Sequence, residues 1–147
     1  MKPPAWRHDR AIYPHTFAIQ TRYADEDRLG HVNNIAVAGY YDEARSRFSR
    51  YVFEKLERGA LSRIVTADSR VTYLAEVFYQ DELEVCSGIL RIGSASYDIG
   101  QALFKQGRCL GIATTTLVQA SASGSSPLAE SLRAALNAMM IQAPASF

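Results

Sequence analysis

One stretch of this chain, residues 35–58, has the spacing of a long helix, and most of the chain beyond it has the spacing of strands. Val37, Tyr41, Ala44, Phe48, Val52 and Leu56 recur every three or four positions and mark one buried face. Gly59 is expected to stop the helix. Its first half, Ile35 to Tyr41, is apolar on nearly every side, whereas its second half carries Asp42, Glu43, Arg45, Arg47, Arg50, Glu54, Lys55 and Glu57. The N-terminal half is therefore expected to be enclosed and the C-terminal half partly wet. A helix covered on more than one side calls for a sheet that curls around it.

The strand signals supply that sheet. Between His15 and Ala24, Phe17, Ile19, Thr21 and Tyr23 alternate with Thr16, Ala18, Gln20 and Arg22, which predicts a first strand buried mainly on one face. Residues 64–74, 83–92, 97–105 and 109–119 are four more candidates. The polar links Gln80-Asp81, Gly93-Ser94 and Gln106-Gly107 suit antiparallel neighbours. The expected fold class is α+β: a long central helix wrapped by a curved antiparallel β-sheet of about five strands, in one domain spanning 1–147. Pro3, Pro4, Trp6 and Pro14 predict an irregular arm over residues 1–14. ASASGSS, 120–126, reads as a flexible linker, and Pro127 as the start of a short amphipathic helix, 128–141, bearing Leu132, Leu136 and Met139.

Composition narrows the function. At 147 residues the chain can bury a core without staples. Its net charge of +1 offers no field for nucleic acid or an anionic bilayer, so neither is an expected partner. No apolar run approaches the roughly 18 residues of a membrane span, and the start, MKPPAWRHDR, lacks the apolar core of a signal peptide. The expected location is cytoplasmic, with Cys86 and Cys109 as reduced residues on strands.

The segment RYADEDRLGHVNN, 22–34, carries the chemistry. A strand ends in three carboxylates, Gly30 permits a tight turn, and His31-Val32-Asn33-Asn34 leads into a helix N-terminus, where unpaired N–H groups and the positive end of the dipole meet the loop. A thioester under attack becomes a tetrahedral oxyanion, so its hydrolysis needs N–H donors and a carboxylate that attacks or activates water. The same residues also fit a solvated acidic turn, Asp25 to Asp27, followed by an ordinary Asn cap.

RYADEDRLGHVNN followed by AGYYDEARSRF resembles the signature of the 4-hydroxybenzoyl-CoA thioesterase-like branch of the hotdog superfamily, and YQDELEVCSGILRIGSASYDIGQALFKQGRCLGIATTTLV is similar to that branch's sheet. The resemblance covers about residues 15–119. It implies a hotdog fold and hydrolysis of an acyl-CoA thioester to free acid and CoA. No cofactor is expected, and no metal: Asp25, Asp27 and His31 suit one by ligand type, but no other residue completes the set with recognisable spacing. The resemblance places the catalytic carboxylate, the second Asp of the Asp-x-Asp pair, at Asp27 and the backbone oxyanion donor at about Asn34. His-Val-Asn-Asn also resembles plant acyl-carrier-protein thioesterases, which implies a site role for His31. Leu29 replaces the catalytic Asn of those plant enzymes.

Substrate-binding expectations fall on Asn33 and Tyr41, and on Arg91 and Ser94, which match a region that relatives use near the nucleotide. Arg45, Arg63 and Arg70 are further basic candidates, Glu43 is a reserve carboxylate on the helix, and Asp25 is expected to be structural. Pairing of hotdog domains implies a homodimer or homotetramer with the site between subunits. A hotdog hydratase or dehydratase and a non-catalytic acyl-CoA-binding domain are the alternatives.

Overall fold

The computed structural model describes residues 2–56 and 63–145. Two 3-10 turns, Ala5–His8 and Arg10–Ile12, precede strand β1 (His15–Gln20). A third 3-10 turn, Tyr23–Asp25, leads into helix α1 (Asn34–Phe53). Strands β2 (Arg63–Tyr73), β3 (Glu82–Ile92), β4 (Ser96–Lys105) and β5 (Arg108–Ser121) follow, then a short β6 (Gly124–Ser125) and helix α2 (Glu130–Asn137). The long strands form one antiparallel sheet in the order β1-β3-β4-β5-β2, curled around α1. This is the expected hotdog arrangement.

The helical stripe is buried as its spacing predicts: Val37, Tyr41, Ala44, Phe48 and Val52 face the sheet. Helix α1 ends at Phe53, and the proposed stop at Gly59 lies outside the described residues. The link Gln106-Gly107 is a two-residue hairpin turn with φ of +49° and +79°, the left-handed pair that a type I′ turn requires.

Three expectations are corrected. The first strand stops at Gln20, and Tyr23, expected on its buried face, is 78% exposed because the chain turns there into a 3-10 helix. Residues 120–126 are no linker: Ala120 and Ser121 extend β5 and pair with Ser125 and Gly124 of β6. The first half of α1 is not enclosed. Ile35 is 82% exposed and Gly39 is open, since one chain's sheet covers a single side of the helix.

The core beneath α1 has two apolar halves. One gathers Val37, Tyr41, Val85, Leu103 and Ala113; the other gathers Phe48, Ile89, Tyr97, Ile99, Leu132 and Leu136. Between them Gln101, fully buried, donates from Nε2 to the Tyr41 carbonyl at 3.1 Å and to Ser87 Oγ at 3.0 Å, so its amide nitrogen is satisfied inside the core. On the sheet's outer side the N-terminal arm is clipped by Arg7. This buried guanidinium donates to the Tyr13 hydroxyl, to Thr114 Oγ1 and to the Ala113 carbonyl. Both cysteines are free thiols. Among the described residues, no helix is long and apolar enough to cross a membrane.

Candidate active site

The loop between β1 and α1 closes on itself as a small hairpin. Glu26 pairs with Val32, the Asp27 N–H donates to the His31 carbonyl at 3.0 Å, and the Gly30 N–H donates to the Asp27 carbonyl at 3.2 Å. Gly30 sits at φ +84°, a conformation that costs little without a Cβ. The Asp27 side chain makes a local turn by accepting the Leu29 N–H on Oδ1 at 2.8 Å. Its Oδ2 lies 3.7 Å from His31 Nδ1, with both side chains about a quarter exposed.

Helix α1 begins beside this hairpin. Asn33 is its N-cap, its side-chain oxygen accepting the Ile35 N–H at 2.7 Å. That cap occupies the Ile35 donor and leaves the Asn34 N–H without a protein acceptor among the described residues. The Tyr73 hydroxyl donates to the Asn34 carbonyl at 3.0 Å and ties the helix start to the end of β2. A cavity of about 240 Å³ opens here, lined by His31, Asn34 and Val37 on one side and by Tyr73 to Val77 on the other. The structure thus sets Asp27 against His31, puts His31 and Asn34 on one cavity wall, and has Asn33 cap the helix between them. A carboxylate and a free N–H at a helix N-terminus can between them polarise a carbonyl and deliver water or an oxygen nucleophile to it.

Asp25 belongs to the frame of this site. It is buried, accepts the Tyr40 hydroxyl at 2.6 Å, and is bound by the Arg22 guanidinium and N–H. Both of its carboxylate oxygens are thus engaged by Tyr40 and Arg22. Burial pushes the Asp25 carboxyl upward, but the Tyr40 hydroxyl and Arg22 outweigh it and hold the group below its ordinary value of 3.8. A carboxylate depressed on folding stabilises the protein above its unfolded value, and the gain disappears as pH falls through the folded value. Asp25→Asn is therefore expected to unfold at lower urea than wild type near neutral pH. The gap should stay constant down to about pH 5 and narrow below the ordinary value, a trend read from urea midpoints against pH.

The remaining expected residues are elsewhere. Tyr41 does not line an open surface: it is 2% exposed and its hydroxyl, without a partner among the described residues, packs toward Gly111, where a Cβ would meet it at 2.5 Å. It is a core residue because it lies on the inner stripe of α1, with Val37 and Ala44, two positions from the outward Gly39. Arg91 and Ser94 stand at the far end of β3 and in its turn to β4, whereas the hairpin lies near the Glu82 end. At a rise of roughly 3.3 Å per residue the separation along the strand is about 30 Å. Arg91 is bound to Asp98 at 3.0 Å, and the Ser94 carbonyl accepts from Leu128 N–H. One chain does not bring these two to Asp27. Glu43 is ion-paired with Arg47 on the outer flank of α1, and Arg45 reaches Thr115 Oγ1 and Asp42. Tyr40 and Arg22 had no sequence signal beyond the three-residue spacing of Arg22 and Asp25, since Tyr40 is fifteen positions away.

The sequence model of the Thioesterase-like superfamily matches residues 21–136, which include the hairpin, α1 and every long strand of the sheet after β1. This chain belongs to that superfamily. Among solved structures, the thioesterase-like fold is shared with a thioesterase from Thermus thermophilus complexed with coenzyme A and Zn, at 26% identity and a TM-score of 0.74 over 86% of this chain and 94% of that one. A protein from Pseudomonas aeruginosa PAO1 is 27% identical, with a TM-score of 0.72 over 92% of this chain and 98% of its own. A protein named as a predicted thioesterase from Bacillus stearothermophilus, 23% identical, superposes with a TM-score of 0.76 over 88% and 98% of the two chains and shares the fold. No curated protein sequence matches this chain.

Proposed function

We propose that this superfamily member hydrolyses acyl-CoA thioesters to the free acid and CoA. The observation that carries the reading is the placement, on one short segment, of the partly exposed Asp27 carboxylate and of the Asn34 N–H at the start of α1, which has no acceptor among the described residues. A thioester oxygen seated on that N–H is polarised by the helix end. Attack on the carbonyl carbon, by Asp27 itself or by a water that gives its proton to Asp27, forms the tetrahedral oxyanion. Collapse breaks the C–S bond and releases the CoA thiolate. Water attack gives the free acid directly, whereas attack by Asp27 leaves an acyl anhydride on its carboxylate that a water then hydrolyses to the free acid, restoring Asp27. His31, 3.7 Å from Asp27 Oδ2, orients the carboxylate or the water, and Asn33 holds the helix end in place. Coenzyme A in the Thermus thermophilus relative supports the choice of thioester.

Arg91 and Ser94 serve the CoA nucleotide in this reading, and the length of β3 means that they serve a site whose Asp27 comes from another copy. A homodimer or homotetramer follows. Two features favour it: β2 is an eleven-residue edge strand, and Ile35, Tyr73 and Leu74 around the helix start are exposed apolar groups. Sedimentation is expected to give a dimer or larger, and a stable monomer would overturn the shared site.

The direct test is release of free thiol, followed with a thiol dye, across short branched, aromatic and medium-chain acyl-CoAs. Turnover of at least one class is expected. Water addition to an unsaturated acyl-CoA with no thiol released would assign a hydratase instead, and ligand retention with no turnover would assign a binding domain.

A further inference from the structure

The hairpin that carries Asp27 and His31 fixes its own shape through the bonds at its tip, but those bonds do not set its direction relative to α1. That direction comes from its root. Val32 N–H donates to the Val77 carbonyl at 2.6 Å, and Asn33 N–H donates to the Asp25 carbonyl at 2.8 Å. The Asp25 side chain then spans to the second turn of α1. Its Oδ2 accepts the Tyr40 hydroxyl at 2.6 Å and the Arg22 N–H at 3.1 Å, and its Oδ1 accepts Arg22 Nη2 at 3.1 Å. Asp25 and Tyr40 are 6% and 8% exposed, so this charge-assisted bond is shielded from water. Arg22, by contrast, is 77% exposed and holds the carboxylate from the solvent side.

We infer that Asp25 and Tyr40 are positioning residues: their hydrogen bond sets where the Asp27 carboxylate stands relative to the Asn34 N–H. The kinetic consequence rests on the thioesterase reading; the mechanical one does not. Carbonyl chemistry is sensitive to placement, and a shift of about 1 Å in a reacting group costs about 100-fold in rate. Tyr40 lies at the point where that shift is blocked, because it is the helix side chain that the loop's buried charge reaches.

The test is Tyr40→Phe, which keeps the ring packed and removes the hydroxyl, with Tyr97→Phe as a control that removes another buried hydroxyl, one without a partner among the described residues. In Tyr40→Phe, kcat is expected to fall about 10- to 100-fold while KM moves by less than about threefold, the pattern of a lost transition-state geometry. Backbone amide exchange of residues 26–33 should speed by about tenfold while β3, β4 and β5 keep their protection. Tyr97→Phe should leave kcat and the exchange at 26–33 as in wild type. Wild-type kcat in Tyr40→Phe, unchanged exchange at 26–33, or an equal loss of protection across the whole sheet would each overturn the positioning role. Selective loosening of the hairpin in a protein that turns over no acyl-CoA would leave the mechanical role standing and remove the thioesterase reading.

Discussion

Asp27→Asn is expected to lower kcat for acyl-CoA hydrolysis by about 10³-fold or more while leaving the protein folded and able to bind CoA. An amide neither attacks the thioester nor takes a proton from water, whichever of the two Asp27 does. The fold survives because the bond that holds this side chain asks only for an acceptor: Oδ1 accepts the Leu29 N–H at 2.8 Å, and the carboxamide oxygen of Asn accepts the same bond. The Asp27 N–H to His31 carbonyl bond involves backbone alone and is untouched. Thiol release, thermal unfolding and calorimetric titration with CoA separate the three properties. A variant that is folded and binds CoA yet hydrolyses at the wild-type rate would sink the assignment of Asp27.

The largest expected effect on stability is at Phe48. This side chain is fully buried where the middle of α1 meets the sheet, in the cluster with Ile89, Tyr97, Ile99, Leu132 and Leu136. Phe48→Ala removes the buried ring and leaves a cavity that β3, β4 and α2 cannot all collapse into, a change that costs about 3–5 kcal/mol. Domains of this kind have about 5–15 kcal/mol in total. A domain of this size loses about 2–4 °C per kcal/mol, so Tm should drop by about 10 °C. The loss is expected to be mainly in stability, because Phe48 belongs to the other half of the core from the hairpin. A Tm within about 2 °C of wild type would show that the two halves repack around the missing ring.

Short-range pattern carried a large share of this protein. The stripe Val37, Tyr41, Ala44, Phe48 and Val52 is buried along α1, and the turn at Gln106-Gly107 is where the links predict it. Both follow from periodicity and backbone preference within a few residues, which chain sequence specifies directly. The grouping of Asp27, His31, Asn33 and Asn34 is legible for the same reason: neighbouring positions on one loop and helix start cannot be far apart.

Tertiary packing decided the rest. The strand after the helix pairs with β5, at the far edge from β1, and no local signal orders the sheet this way. Residues 120–125 form a hairpin in spite of a linker-like composition, because β5 offers them a ladder to complete. Gln101 and Arg7 are buried because neighbouring strands and the arm supply their partners, and Asp25 meets Tyr40 across fifteen residues only once α1 is docked. Arg91 stands a strand's length from Asp27, and the apolar start of α1 lies open on one side, since the single sheet has only one concave face to offer it. Sequence alone thus specified the long helix, its buried face and the main strands, all of which depend on residues close together in the chain. Only the folded structure specified which distant groups meet, because those contacts depend on how whole elements pack.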